Sequence, residues 1–294
     1  MSNLYFNRKI GVSILRFLLG FLIFKDFIIY YINREYLFNK NGIISYNTYL
    51  DIAKYFKLNW LYIDFTKDYN IVLFCMLGIV FSFLFMIGIA QRLSAIILFF
   101  SLFILKARNL YILDGADNVI SVILPFFLFI DTYSISNKYE LAKEKLSPKI
   151  LSISNMFSTY FSIAIMVQVC IIYFFAGLHK LQGEVWREGT ALYYILNSQD
   201  FSPTRFNSYF TKSIILVKIS TWFTIIFQLM FPFFLFFRKT KVIIIFIGML
   251  LHFGIFFMMK IDNFSLIMIS CYTVFFTDNE YRILFNKLNM KYAV

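Results

Sequence analysis

Apolar runs long enough to cross a bilayer recur along almost the whole chain, separated by short polar segments. The pattern predicts helical spans over 10–32, 70–90, 93–113, 117–134, 151–180, 213–237, 242–259 and 263–277. Most reach the ~20 residues a helix needs to traverse the hydrocarbon layer; the last is short and reads equally as one arm of a hairpin, which would leave seven. Helices are expected because an open sheet cannot satisfy its backbone in lipid. The predicted fold class is all-α, a polytopic integral membrane helical bundle of about eight transmembrane helices.

Composition agrees. Only 15% of the 294 residues are charged and mean hydropathy is +0.72, whereas soluble domains carry about a quarter charged residues. No polar segment is long enough for a second, soluble domain, so residues 1–294 are expected to form a single transmembrane domain. Arg8 and Lys9 precede an apolar run longer than a signal-peptide core, so the first span is expected to be retained. Forty Phe and twenty Tyr give a narrow vocabulary that fits an AT-rich genome and is not read as a cofactor box.

Charge sets the expected topology. The net +12 is spread over short segments between apolar runs, which argues against nucleic acid as a partner. Basic residues are densest over Lys138–Lys149 and Arg238–Lys241, so the positive-inside rule puts loop 135–150, the N-terminus and the tail 278–294 in the cytoplasm. Loops 33–69 and 181–212 then face outward. Within the first, residues 44–65 alternate aromatic and polar positions (Tyr46, Tyr49, Tyr55, Phe56, Trp60, Tyr62), as an interfacial helix would.

Against this background Tyr173-Phe-Phe-Ala-Gly-Leu-His179-Lys180-Leu-Gln-Gly-Glu-Val-Trp186-Arg187-Glu-Gly189 stands out. It sets an ammonium where a long apolar helix reaches the outer surface. Such a group is costly in lipid and usually faces a protein partner or water; desolvation can turn an inert cation into a base or nucleophile. The plainer account is a lysine that snorkels to the interface beside Trp186. Glu184 and Glu188 follow at i+4 and i+8 and would pair with Lys180 if the helix ran on, although Gly183 interrupts it.

Other polar residues in apolar surroundings are fewer. His252 is the second of two histidines and falls in the outer half of its span, as a catalytic group or as a hydrogen bond to a neighbouring helix. Asp26 sits beside Lys25 in the first span, with Arg16 towards the inside and Arg34 at the outer end; it reads as a functional charge or as a bundle-locking contact. The run Asn109…Asp114-Gly-Ala-Asp117-Asn118 lacks the His and Cys of a metal cage, and capping of the next helix is the simpler account. Cys75, Cys170 and Cys271 are isolated within spans and form neither a disulfide framework nor a metal site. Phosphate-loop, zinc and serine-hydrolase motifs are absent from the sequence.

The 173–189 motif resembles that of the horizontally transferred transmembrane (HTTM) superfamily, which includes the membrane domain of vitamin K-dependent gamma-carboxylase. Arg16, Asp26, the 109–117 run and His252 add to the likeness. Gln182 to Tyr194 is most similar to the sporulation-delaying-protein B (SdpB) branch, bacterial proteins associated with production of a secreted antimicrobial peptide. The resemblance implies that Lys180 matches the carboxylase lysine that deprotonates the vitamin K hydroquinone, with His252 and His179 beside it as catalytic candidates. It makes Trp186, Arg187, Asp26, Asp114 and Asp117 candidates for contacting a cofactor, a reduced vitamin K-like quinone. A lumenal domain like the carboxylase's is not found here, which puts glutamate carboxylation in doubt.

The expectation is therefore a protein of the bacterial cytoplasmic membrane, acting outside the cytoplasm to mature a secreted peptide, with membrane lipid and a small accessory protein as further partners. Two alternatives stay open: a quinone-dependent epoxidase or carboxylase-like enzyme, and a non-catalytic binding or immunity subunit.

Overall fold

The computed structural model describes residues 7–57, 64–136, 146–201 and 204–287. Trp60 and Tyr62 of the expected interfacial helix, most of loop 135–150 with Lys138, Lys143 and Lys145, and the end of the tail from 288 lie outside the described residues. Among those that are described, the regular structure is entirely helical.

Each predicted span is a helix: Lys9–Ile32, Asp68–Ile87, Gln91–Arg108, Gly115–Ile123, Pro148–Gln182, Ile214–Phe234, Arg238–Met259 and Asp262–Cys271. Asp68–Ile87, Pro148–Gln182, Ile214–Phe234 and Lys239–Met259 are both long and apolar enough to cross a membrane. Lys9–Ile32 has the length but carries Arg16, Lys25 and Asp26 within it. The Gly115 and Asp262 helices are short and continue as 3₁₀ turns, Leu124–Leu128 and Tyr272–Phe275. The protein is a helical membrane bundle.

The chain divides into two compact units, one of residues up to Ser162 together with Thr273 onward, the other Ile163–Tyr272. In the first unit, Lys9–Ile32 packs on Asp68–Ile87 through glycines. A Cβ on Gly20 would lie 2.7 Å from the Met86 Cα, and the Phe27 ring occupies the space beside Gly78. Small residues let backbones approach where lipid supplies no hydrophobic drive between helices. The Arg16 guanidinium is buried against Gly88 and donates to the Phe85 carbonyl at 3.0 Å. Gly88, at φ +80°, ends the Asp68 helix in the left-handed conformation that glycine adopts without strain.

Two further contacts organise this unit. The Asp278 carboxylate accepts from the Lys9 and Ile10 amides at 3.2 and 2.8 Å, and Arg8 donates to the Val274 and Phe275 carbonyls. The segment from Thr273 thus caps the start of the first helix. At the other position, Arg108 is fully buried and its guanidinium donates to the carbonyls of Phe38, Asn39 and Ile44 at 2.7–2.8 Å. It also lies 5.4 Å from the Tyr49 ring centre. This arginine fastens the short helices Arg34–Phe38 and Tyr46–Tyr55 to the end of Gln91–Arg108. The predicted span ran on to 113; instead the helix stops at Arg108, where the side chain is taken up by three carbonyls and Asn109 turns the chain.

In the second unit, Ile163–Gln182 packs with Ile214–Phe234, Arg238–Met259 and Asp262–Cys271 around Val169, Tyr173, Phe227, Phe231, His252 and Tyr272. Short helices Glu184–Arg187, Ala191–Asn197 and Arg205–Thr211 follow the first of these. Asn207 ties them down, donating to the carbonyls of Leu196 at 2.9 Å and Met258 at 2.8 Å.

Candidate functional site

Tyr173 and Lys180 are seven residues apart, so they share a helix face and lie about 10 Å apart along the axis. His179 falls about 100° away on the same helix, and it is exposed. The structure therefore does not bring the two histidines together through this face.

The helix ends at Gln182, and Gly183 leaves it with an extended backbone (φ −82°, ψ 131°). One short turn, Glu184–Arg187, folds Trp186 back so that the Lys180 Nζ lies 5.0 Å from its ring centre. The break also disposes of the pairing that i+4 spacing offered. Glu184, Arg187 and Glu188 are exposed, and Lys180, itself half-buried, makes no ion pair among the described residues. Gly189 then closes the turn at φ +77°, packed against the Trp222 indole and the Lys218 stem. Lys180 and Trp186 thus form a unit, whereas Arg187 stands apart from it.

Two turns further into the helix lies a buried polar chain. The Tyr173 hydroxyl is 2.7 Å from His252 Nε2 and is also hydrogen-bonded to the Tyr272 hydroxyl. All three side chains are at most 2% exposed, and Phe227, Phe231 and Phe264 surround them. His252 Nδ1 is buried without a hydrogen-bond partner among the described residues. Gly248, one turn before His252, leaves room for the Tyr272 hydroxyl, which a Cβ there would strike.

Asp26, Asp114 and Asp117 belong to the first unit and have local partners. Asp26 is 3.6 Å from the Lys25 ammonium. Asp114 accepts from the Ala116 and Asp117 amides while Asp117 accepts from the Asp114 amide, a reciprocal capping box at the start of Gly115–Ile123. The Lys106 ammonium fills its three donor positions with the Asp117 carboxylate, the Asp117 carbonyl and the Ser121 hydroxyl, at 3.0–3.1 Å. Among the described residues no group of three His, Cys, Asp or Glu could hold a metal.

Sequence reasoning did not single out Tyr173 or Tyr272. A signal existed: a tyrosine inside an apolar run must find a partner for its hydroxyl, and the same holds for a histidine.

Residues 8–279 match the HTTM domain. The chain belongs to the HTTM family. Two relatives come from Bacillus subtilis (strain 168). Uncharacterized protein YitO is 27% identical over 204 residues, 68% of this chain and 65% of its own length. Sporulation-delaying protein SdpB is 23% identical over 253 residues, 85% of this chain and 75% of its own length. The chain thus spans slightly less than two thirds of the first relative. No solved structure matches it. Among HTTM members it is a membrane protein related to SdpB.

Proposed function

We propose that this protein acts on the outer side of a bacterial cytoplasmic membrane in the maturation of a secreted antimicrobial peptide, with Lys180 as the base. The observation that carries the reading is the Lys180 ammonium, free of carboxylates among the described residues and folded under Trp186 at the end of a membrane-length helix. An amine that faces an aromatic ring and no carboxylate among the described residues keeps its lone pair available once the proton leaves, which a lysine locked to a carboxylate does not. Lys106 in the first unit is the contrasting case, with all three donors engaged.

The likeness to SdpB, named a sporulation-delaying protein, supports the peptide half of the reading. The basic residues Arg8, Lys9 and Arg238–Lys241 support an inward-facing N-terminus and hence an outward-facing Lys180. His252 assists from the apolar side, hydrogen-bonded to Tyr173, which shares the Lys180 helix face two turns away. The resemblance to the carboxylase supports a reduced quinone as the species deprotonated, with Trp186 beside it.

The test is mass spectrometry of peptides secreted by cells carrying the wild type or Lys180→Ala at matched membrane levels. Loss or altered mass of one mature peptide in the variant is expected, and the mass difference names the reaction. Identical peptides would overturn Lys180 as a base and favour a binding subunit. An impermeant thiol reagent against a cysteine introduced in 184–197 tests the sidedness, with labelling of intact cells expected.

A further inference from the structure

The Tyr272–Tyr173–His252 chain can be written in more than one direction, and the directions differ in which buried groups they leave unpartnered. A hydroxyl carries one proton, and a neutral imidazole carries one on either Nδ1 or Nε2. An imidazolium buried among phenyl rings, with no carboxylate paired to it among the described residues, would bear the full penalty of an unpaired charge, so the ring is neutral. Suppose first that Tyr272 donates to Tyr173 and Tyr173 donates to His252 Nε2. Both hydroxyl protons are used, Nε2 is an acceptor, and what is left over is an Nδ1–H and the weakly accepting phenolic oxygen of Tyr272. Reverse the chain, and Nε2–H donates to Tyr173, which donates to Tyr272. Then the Tyr272 proton has no acceptor and the Nδ1 lone pair has no donor. A third arrangement, in which Tyr173 accepts from both sides, strands its own proton and the Nδ1 lone pair. Buried polar groups without partners are costly, and an imidazole nitrogen is a stronger acceptor than a phenolic oxygen, so the arrangement that fills the imidazole lone pair and uses both hydroxyl protons prevails.

We infer that Tyr173 and Tyr272 are positioning residues that fix His252 as the Nδ1–H tautomer, and that this N–H is a hydrogen-bond donor for an uncharged acceptor oxygen, such as a carbonyl, on an apolar molecule entering the second unit. Two observations beyond the hydrogen bonds support a built site. His252 Nδ1 is buried and, among the described residues, unpartnered, on a side chain that is 2% exposed. Gly248 is cut away where the Tyr272 hydroxyl sits, so the chain's first member is seated by the backbone rather than by chance. The surrounding Phe227, Phe231 and Phe264 rings select an apolar body, and the lone donor selects one uncharged acceptor. The inference stands on these contacts alone and does not require Lys180 to act as a base.

The test uses full-length protein in detergent with ¹⁵N-labelled histidine. The chain has two histidines, so His179→Gln leaves His252 as the single labelled ring. The expected spectrum shows a protonated Nδ1 and an unprotonated Nε2. Tyr173→Phe removes the donor to Nε2 and is expected to shift the ring towards the other tautomer, while Tyr272→Phe is expected to shift it less. A protonated Nε2 in the parent would overturn the assignment. The ligand arm uses a long-chain methyl ketone, with the alkane of equal length as control. A shift of the Nδ1–H resonance with the ketone alone, together with a lowered carbonyl stretching frequency, is expected. No response to the ketone, or an N–H that exchanges freely with bulk water, would overturn the binding role. Circular dichroism of each variant separates a lost tautomer from a lost fold. Retained ketone binding in Lys180→Ala with unchanged secreted peptides would sink the proposed base while leaving this inference in place.

Discussion

The Lys180 ammonium lies 5.0 Å from the Trp186 ring centre, across a break in the helix made by Gly183. The break decides which partner the lysine has. A continuous helix would have presented Glu184 on the same face; the extended Gly183 exchanges a carboxylate for an indole. A cation over an indole contributes about 0.5–2 kcal/mol depending on desolvation.

Trp186→Leu should therefore uncover the amine with little effect on the bundle. Acylation by a small amine-reactive reagent, mapped by peptide mass spectrometry, is expected to rise at Lys180 relative to exposed Lys212. Equal labelling in wild type and variant would show that the indole does not shield it. Gly183→Ala tests the same relationship from the backbone. Alanine favours continuation of the helix, which would bring Glu184 round to Lys180 and lower the labelling.

The Gly189 turn can be tested against an internal control. An alanine at φ +77° costs about 1–2 kcal/mol from left-handed strain alone. Its Cβ would also press to 3.1–3.2 Å from Trp222 and Lys218. Gly254 lies inside Arg238–Met259, more than a turn from its end, and a Cβ there meets nothing within 4 Å. Gly254→Ala is thus expected to stabilise by about 0.5–1 kcal/mol through helix propensity, and Gly189→Ala to destabilise. Opposite shifts in thermal midpoint are the expected result; shifts of the same sign would contradict the strained turn.

Much of the architecture was legible because lipid leaves few choices. A run of some twenty apolar residues has to be a helix, and each of the eight predicted runs is one. The capping role of Asp114 and Asp117 was also legible, since short acidic side chains ahead of an apolar run have a local use that spacing reveals. What spacing could not reveal was partnership across helices. Arg108 reads in the sequence as one more charge at a helix end, yet it is buried among carbonyls some seventy positions earlier in the chain. Tyr173 was visible as the first letter of the motif, but its partners His252 and Tyr272 lie 79 and 99 residues away. His179 drew notice as a neighbour of Lys180, and helical geometry turns it to another face.

Arg108→Ala should release the segment 33–57. Removing the guanidinium leaves three carbonyls and Tyr49 without their shared partner, and each buried unpaired group costs about 1–3 kcal/mol. Lysine is a poor replacement, because a point charge cannot span three acceptors as a planar fork does. Limited proteolysis is expected to cut Arg108→Ala and Arg108→Lys within 39–57 at protease levels that spare the wild type. Resistance in Arg108→Lys would mean that charge alone fastens the segment.

Asp278 offers the last test, because it caps a helix from the far end of the chain. Its carboxylate accepts the Lys9 and Ile10 amides, which have no partner within their own helix, and its negative charge suits a helix N-terminus. Loss of such a cap typically costs about 0.5–2 kcal/mol. Asp278→Ala is expected to speed hydrogen exchange at residues 9–12 while leaving Asp68–Ile87 protected. Asp278→Asn keeps the acceptor oxygen without the charge and is expected to fall between the two. The order separates hydrogen bonding from electrostatics. If asparagine matches the wild type, the oxygen alone holds the helix start; if it matches alanine, the charge does. Unchanged exchange in all three would mean that Arg8, bonded to the Val274 and Phe275 carbonyls, holds the two ends together without Asp278.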